Sequence, residues 1–180
     1  FTWLAMAFIL IPKIGAEVGV AQSAGQGDMK EAKVYIKHSI QMIICIAILY
    51  AFILITFRNP LIGFFNLGEA DIIRNAITYL VIISFGLIFY FINPVFSAIF
   101  NGYGESRTPF VVNSIGLVVN MILDPILILG IGPFPKLEVA GAAIATIIAQ
   151  AVVTCVFIIN ARGRKELFSE LYLLKAPDMD

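Results

Sequence analysis

Asn120-Met-Ile-Leu-Asp124-Pro125 places an amide and a carboxylate one helical turn apart inside a long apolar run. Packing alone gives neither group a reason to be there. The surrounding segment, residues 109–131, is otherwise almost wholly apolar and long enough to cross a bilayer. A charged side chain at membrane depth costs ~2.5–3.5 kcal/mol on insertion scales, so an acid in such a place reads as part of an ion or substrate pathway. Pro125 adds to this. It has no N–H, so the carbonyl of Met121 loses its helical donor and becomes a candidate ligand at an expected bend.

Other polar residues extend the pattern. At 100° per residue, Asn113, Asn120 and Asp124 lie within about 40° of one another, a polar stripe expected to face the bundle interior. Gly116 sits beside it. The next apolar segment carries Thr146 and Gln150 one turn apart, with Gly141, Ala145 and Ala149 forming a small-residue seam for close helix contact. The hydroxyl of Thr146 has a bland alternative, bonding back to the carbonyl of Ala142. Lys13 and Glu17 stand four apart after Pro12; they can pair along the helix and are placed toward a water-filled cavity, as a structural ion pair or in contact with substrate. Pro94, after Asn93, is expected to kink the third span and free the carbonyl of Tyr90.

Nothing points to an enzyme. The chain has one histidine, His38, read as interfacial. No nucleophile–base spacing, phosphate-cradling loop or cofactor motif is present, and the turns Gly25-Gln-Gly27 and Gly102-Tyr-Gly104 do not open a helix after a strand. Cys45 and Cys155 have no metal-ligand or disulfide spacing and read as small buried hydrophobes.

These residues need helices to position them, and the composition supplies helices in a membrane. Hydrophobic residues make up 60% of the chain and charged residues 13%, with zero formal net charge, so nucleic acid is not an expected partner. Mean hydropathy is +0.95. The fold class is all-α and polytopic. Five apolar segments, at about 1–21, 36–57, 76–101, 109–131 and 139–160, each cover a ~30 Å hydrocarbon core as helices. Turns are expected at 24–28, 58–60, 102–104 and 132–135. Lys30, Lys33, Lys37, Arg107, Arg162, Arg164, Lys165 and Lys175 flank one side; Arg58, Arg74 and Lys136 flank the other. This bias places the 22–35 and 102–108 loops and the C-terminal tail in the cytoplasm. Residues 163–175, with Leu167, Phe168, Leu171 and Leu174 among charges, read as a short amphipathic helix on the cytoplasmic surface. The chain opens at Phe1 already inside an apolar stretch and ends at Asp180 after a polar one, which reads as a fragment whose tail, 161–180, is a linker.

Four motifs in register resemble the multidrug and toxic compound extrusion (MATE) transporters. They are Ala21-Gln22-Ser-Ala-Gly25-Gln-Gly27-Asp28 with Ala32; Gly102-Tyr-Gly104-Glu-Ser106-Arg-Thr108-Pro109; Asn120-Met-Ile-Leu-Asp124-Pro125; and Gly141-Ala-Ala-Ile-Ala-Thr146. The resemblance implies that the chain supplies helices two to six of a six-helix N-terminal lobe, followed by the linker to a second lobe. It implies an antiporter in the plasma (inner) membrane, exporting organic cations and amphipathic compounds against Na⁺ or H⁺, with no other cofactor. Asn120, Asp124 and Thr146 map onto the family's N-lobe cation site. Asn113, Gln150, Lys13 and Glu17 are candidates to line the cavity, although Lys13 and Glu17 lie outside the family pattern. The alternatives are a lipid-linked saccharide flippase of the related superfamily, which needs a basic cavity, and a membrane channel or scaffold.

Overall fold

A computed structural model describes residues 2–65, 68–133 and 135–168. Their regular structure is entirely helical: α1 (Thr2–Gly25), α2 (Met29–Thr56), α3 (Arg58–Gly63), α4 (Ala70–Gly102), α5 (Arg107–Leu129), α6 (Glu138–Gly163) and α7 (Lys165–Phe168). Five of these, α1, α2, α4, α5 and α6, are long and apolar enough to cross a membrane. Each extends beyond or begins before its apolar run, since polar residues at its ends continue the helix past the hydrocarbon-compatible stretch. Asp28 shows how. Its carboxylate accepts from the backbone N–H groups of Lys30 and Glu31 at 3.1 and 3.0 Å, starting α2 seven residues ahead of the apolar segment at 36.

One expected turn is a helix. Arg58-Asn-Pro60 opens the short α3, where Pro60 occupies the first turn and its missing N–H costs no helical bond. Pro94 and Pro125 both sit inside continuous helices.

The helix α4 is the centre of the bundle, packed by α1 and α2 on one side and α6 on the other, while α5 packs chiefly on α6. An aromatic cluster forms much of the core. Phe157 of α6 stacks on Phe96 and Phe100 of α4, with centroids 5.6 and 5.9 Å apart. Phe168 of α7 closes on the same two rings, and Leu167 is buried beside it. The apolar side of α7 thus turns into the bundle; Leu171 and Leu174 lie outside the described residues. A further link crosses this end: Arg164 pairs with Glu105 at 2.5 Å, and the same carboxylate accepts from Thr108.

The small-residue seam brings α5 and α6 into backbone contact. A Cβ on Gly141 would meet the carbonyl oxygen of Leu127 at 2.5 Å, and one on Gly116 would meet Val153. Ala145 and Ala149 are buried along the same line. Cys45 and Cys155, in contrast, are exposed on the outside of the bundle. In a membrane-spanning helix the outer face is itself apolar, so a small hydrophobe needs no burial in protein.

Candidate functional site

Asn120 and Asp124 are joined along α5: the Asn120 Nδ2 donates to Asp124 Oδ1 at 3.4 Å. Both are half-buried. Asn120 lines a cavity of ≈ 220 Å³ between α5 and α6, together with Asn113, Gly116, Leu117, Thr146, Ala149, Gln150 and Val153. Thr146 donates its hydroxyl hydrogen to the Ala142 carbonyl at 2.9 Å, the bland bond open to it from the sequence. That bond leaves the oxygen lone pairs free to accept or ligate. The two helices therefore bring Asn120 and Thr146 to one groove, with Asp124 bonded to the first.

The polar stripe does not point into a closed interior. The buried face of α5 is set by Pro109, Val112, Gly116 and Leu127, and the stripe is offset from it by about 60° at 3.6 residues per turn. Glycine and aliphatic residues take the seam against α6, and the stripe takes its margin. Asn113 is accordingly exposed. Its Nδ2 donates to the Pro109 carbonyl at 2.8 Å and to Ser97 Oγ of α4 at 3.3 Å.

Lys13 and Glu17 are half-buried on α1, but no ion pair joins them. Lysine preceding glutamate at this spacing is the weaker order on a helix. Neither residue lines either cavity.

The most tightly bonded polar group was legible only as a neighbour of Pro94. Asn93 of α4 is buried, and its Nδ2 donates to both the backbone carbonyl and the Oε1 of Gln150, at 3.0 and 2.7 Å. Thr154, also buried, places its hydroxyl 2.7 Å from Asn93 Oδ1 and 3.0 Å from the Gln150 carbonyl. Gln150 and Thr154 stand four apart on α6, on the side facing α4. That spacing, together with an asparagine inside a long apolar span, was the signal available for finding the network.

A larger cavity of ≈ 560 Å³ adjoins the first along α6, bounded by α1, α2, α3, α4 and α6. Its walls are mainly aliphatic with Tyr50, Tyr79 and Tyr90 among them, and Thr146 and Gln150 line this cavity as well as the smaller one. Among the described residues, no cluster of three or more His, Cys, Asp or Glu side chains could hold a transition metal. The oxygens of Asp124, Asn120 and Thr146 are of the hard type that suits an alkali cation.

A family model described as MatE matches residues 1–126. The probable multidrug resistance protein NorM of Thermotoga maritima is 31% identical over 150 residues, covering 83% of this chain and 32% of that protein. The FAD transporter of Shewanella oneidensis is 31% identical over 163 residues, covering 84% of this chain and 34% of that one. Among solved structures, the inward-facing conformation of a MATE multidrug resistance transporter superposes with a TM-score of 0.78 at 21% identity, over 87% of this chain and 34% of that one. The lipid II flippase MurJ gives 0.62 at 21% identity, over 97% and 40%. At such identities the structures establish the fold alone. The chain spans about a third of the length of the curated relatives it matches. With the family model matched over most of its length and the same helical fold, the chain belongs to the MatE family of membrane transporters.

Proposed function

We propose that the intact protein is a secondary active antiporter, exporting organic cations and other amphipathic compounds in exchange for Na⁺ or H⁺. Asn120, Asp124 and Thr146 hold the coupling ion. One observation carries this reading: the Asn120–Asp124 pair stands beside a groove that Thr146 reaches from the facing helix. Asn120 uses its amide nitrogen on the carboxylate, which leaves its Oδ1 for a cation. Thr146 has given its hydrogen to Ala142, so it too offers only lone pairs. An ionised Asp124 binds a cation, and taking up a proton neutralises it instead; either event removes a charge from the groove. The ion drives transport only if it binds two conformations of the lobe unequally. Pro94 and Pro125 interrupt the backbone ladders of the helices that would change shape.

In this reading the protein sits in the plasma (inner) membrane. Its 22–35 and 102–108 loops and C-terminal tail are cytoplasmic, in accord with the Lys/Arg bias. A second lobe of the same transporter completes the substrate path. The flippase alternative needs a basic cavity, and Lys13, the candidate that this chain offers, lines neither of the two cavities described above. The relative named as an FAD transporter favours a second reading of the cargo, an aromatic compound rich in hydrogen-bond acceptors, carried by the same lobe. The test is dye movement in vesicles holding the intact protein, with Na⁺ and proton gradients imposed separately. Efflux of N-methylacridinium that follows one gradient and stops when it is collapsed is expected. Flux indifferent to both gradients would refute the antiporter.

A further inference from the structure

We propose that Gln150 is a hydrogen-bond donor to transported compounds, locked in that polarity by Asn93, so that the lobe recognises an apolar aromatic body carrying a carbonyl or similar acceptor. The inference rests on the transport reading above. Which end of a glutamine amide is nitrogen is fixed by its partners, and here a backbone group decides. The carbonyl of Gln150 can only accept, and Asn93 lies 3.0 Å from it, so the near atom of Asn93 must be its Nδ2. The same Nδ2 stands 2.7 Å from the Gln150 side chain, so the near atom there must be the acceptor, Oε1. Thr154 completes the lock with a hydroxyl 2.7 Å from Asn93 Oδ1.

With Oε1 held by Asn93, the group left over is the amide nitrogen of Gln150. It makes no hydrogen bond within the described residues. Gln150 lines both cavities, so the residue that carries this nitrogen stands at the wall they share. On one side lies the cavity of ≈ 560 Å³ with Tyr79 and Tyr90 in its walls, a size and lining suited to a fused aromatic ring system. On the other lies the groove with Asn120 and Thr146. A ligand seated in the larger cavity meets a donor at the wall nearest the ion site. This is a requirement for an acceptor, distinct from any preference for positive charge.

The experiment is direct binding to the intact protein in detergent, read by fluorescence anisotropy of two dyes with the same three-ring body. N-methylacridone carries a carbonyl; N-methylacridinium carries a positive charge and no acceptor. Gln150→Glu keeps the size and the bond from Asn93 but presents oxygen where nitrogen stood. It is expected to weaken N-methylacridone by about tenfold or more and to strengthen N-methylacridinium. Gln150→Leu removes the donor without adding charge and is expected to weaken N-methylacridone alone, by about fivefold to tenfold. Asn93→Leu unlocks the amide and is expected to lie between wild type and Gln150→Leu. Unchanged N-methylacridone affinity in both Gln150 variants would overturn the donor role while leaving the transport reading intact. Wild-type protein that binds neither dye would overturn the transport reading and the inference with it.

Discussion

Replacing Gly141 with alanine tests how closely α5 and α6 must approach to form the groove. The added Cβ would lie 2.5 Å from the Leu127 carbonyl oxygen, 2.6 Å from its carbon and 2.9 Å from the Ile128 nitrogen. All three are backbone atoms, and the oxygen is already pinned by a 3.0 Å bond from the Leu137 N–H. No side chain can rotate away. Restoring ordinary contact near 3.4 Å requires the helices to separate by about 0.9 Å. Overpacking of this kind costs ~1–3 kcal/mol, against a gain of ~0.5–1 kcal/mol from removing a helical glycine. The net expectation is a loss of ~0–2.5 kcal/mol, centred near ~1 kcal/mol. Gly15→Ala is the control: a Cβ there meets nothing within 4 Å, so only the gain remains. Thermal unfolding of the intact protein in one detergent, at one scan rate, should lower the midpoint for Gly141→Ala and hold or raise it for Gly15→Ala. Equal midpoints for the two variants would refute the close approach of α5 and α6.

Three further changes probe the frame around the site. Phe157→Ala removes a fully buried ring from between Phe96 and Phe100 and should cost ~3–5 kcal/mol, visible as a large fall in the unfolding midpoint. Asn93→Leu strips Thr154 and the Gln150 side chain of a buried partner and should cost ~1–3 kcal/mol. Adding Thr154→Val to it should cost little more, since with Asn93 gone the hydroxyl keeps only its local bond to the Gln150 carbonyl; additive losses would count against a shared network. Arg164→Ala breaks a pair whose arginine is 45% exposed, so its effect should stay below ~1 kcal/mol and shrink as salt is added.

The membrane class and the five spanning helices were legible because continuous apolar runs admit few alternatives, and four motifs in register carried the family. Helix ends were less so. Pro60 reads as a breaker from sequence, yet a proline in a first turn is compatible with a helix. Asn120 and Asp124 stood out as polar groups in an apolar run, and they do meet. Their depth did not follow from their common face. The periodicity places 113, 120 and 124 together, but the glycine and alanine seam decides which face is buried. The Lys13–Glu17 pair failed because spacing alone says that two charges can reach each other, not that their rotamers do. The Asn93 lock was the hardest to see. It joins residues 57 and 61 positions apart, and such a juxtaposition appears only once α4 and α6 are packed.

Ion-driven transport by Asp124→Asn bears most directly on the central claim. The exchange keeps the size of the side chain but removes the one acidic group in α5. It also deletes an intramembrane charge, so folding should hold. Vesicles carrying the intact variant, matched for protein content and unfolding midpoint, should show no dye efflux under either a Na⁺ or a proton gradient. Gradient-driven efflux at the wild-type rate from a properly folded Asp124→Asn protein would show that this carboxylate does not carry the coupling ion.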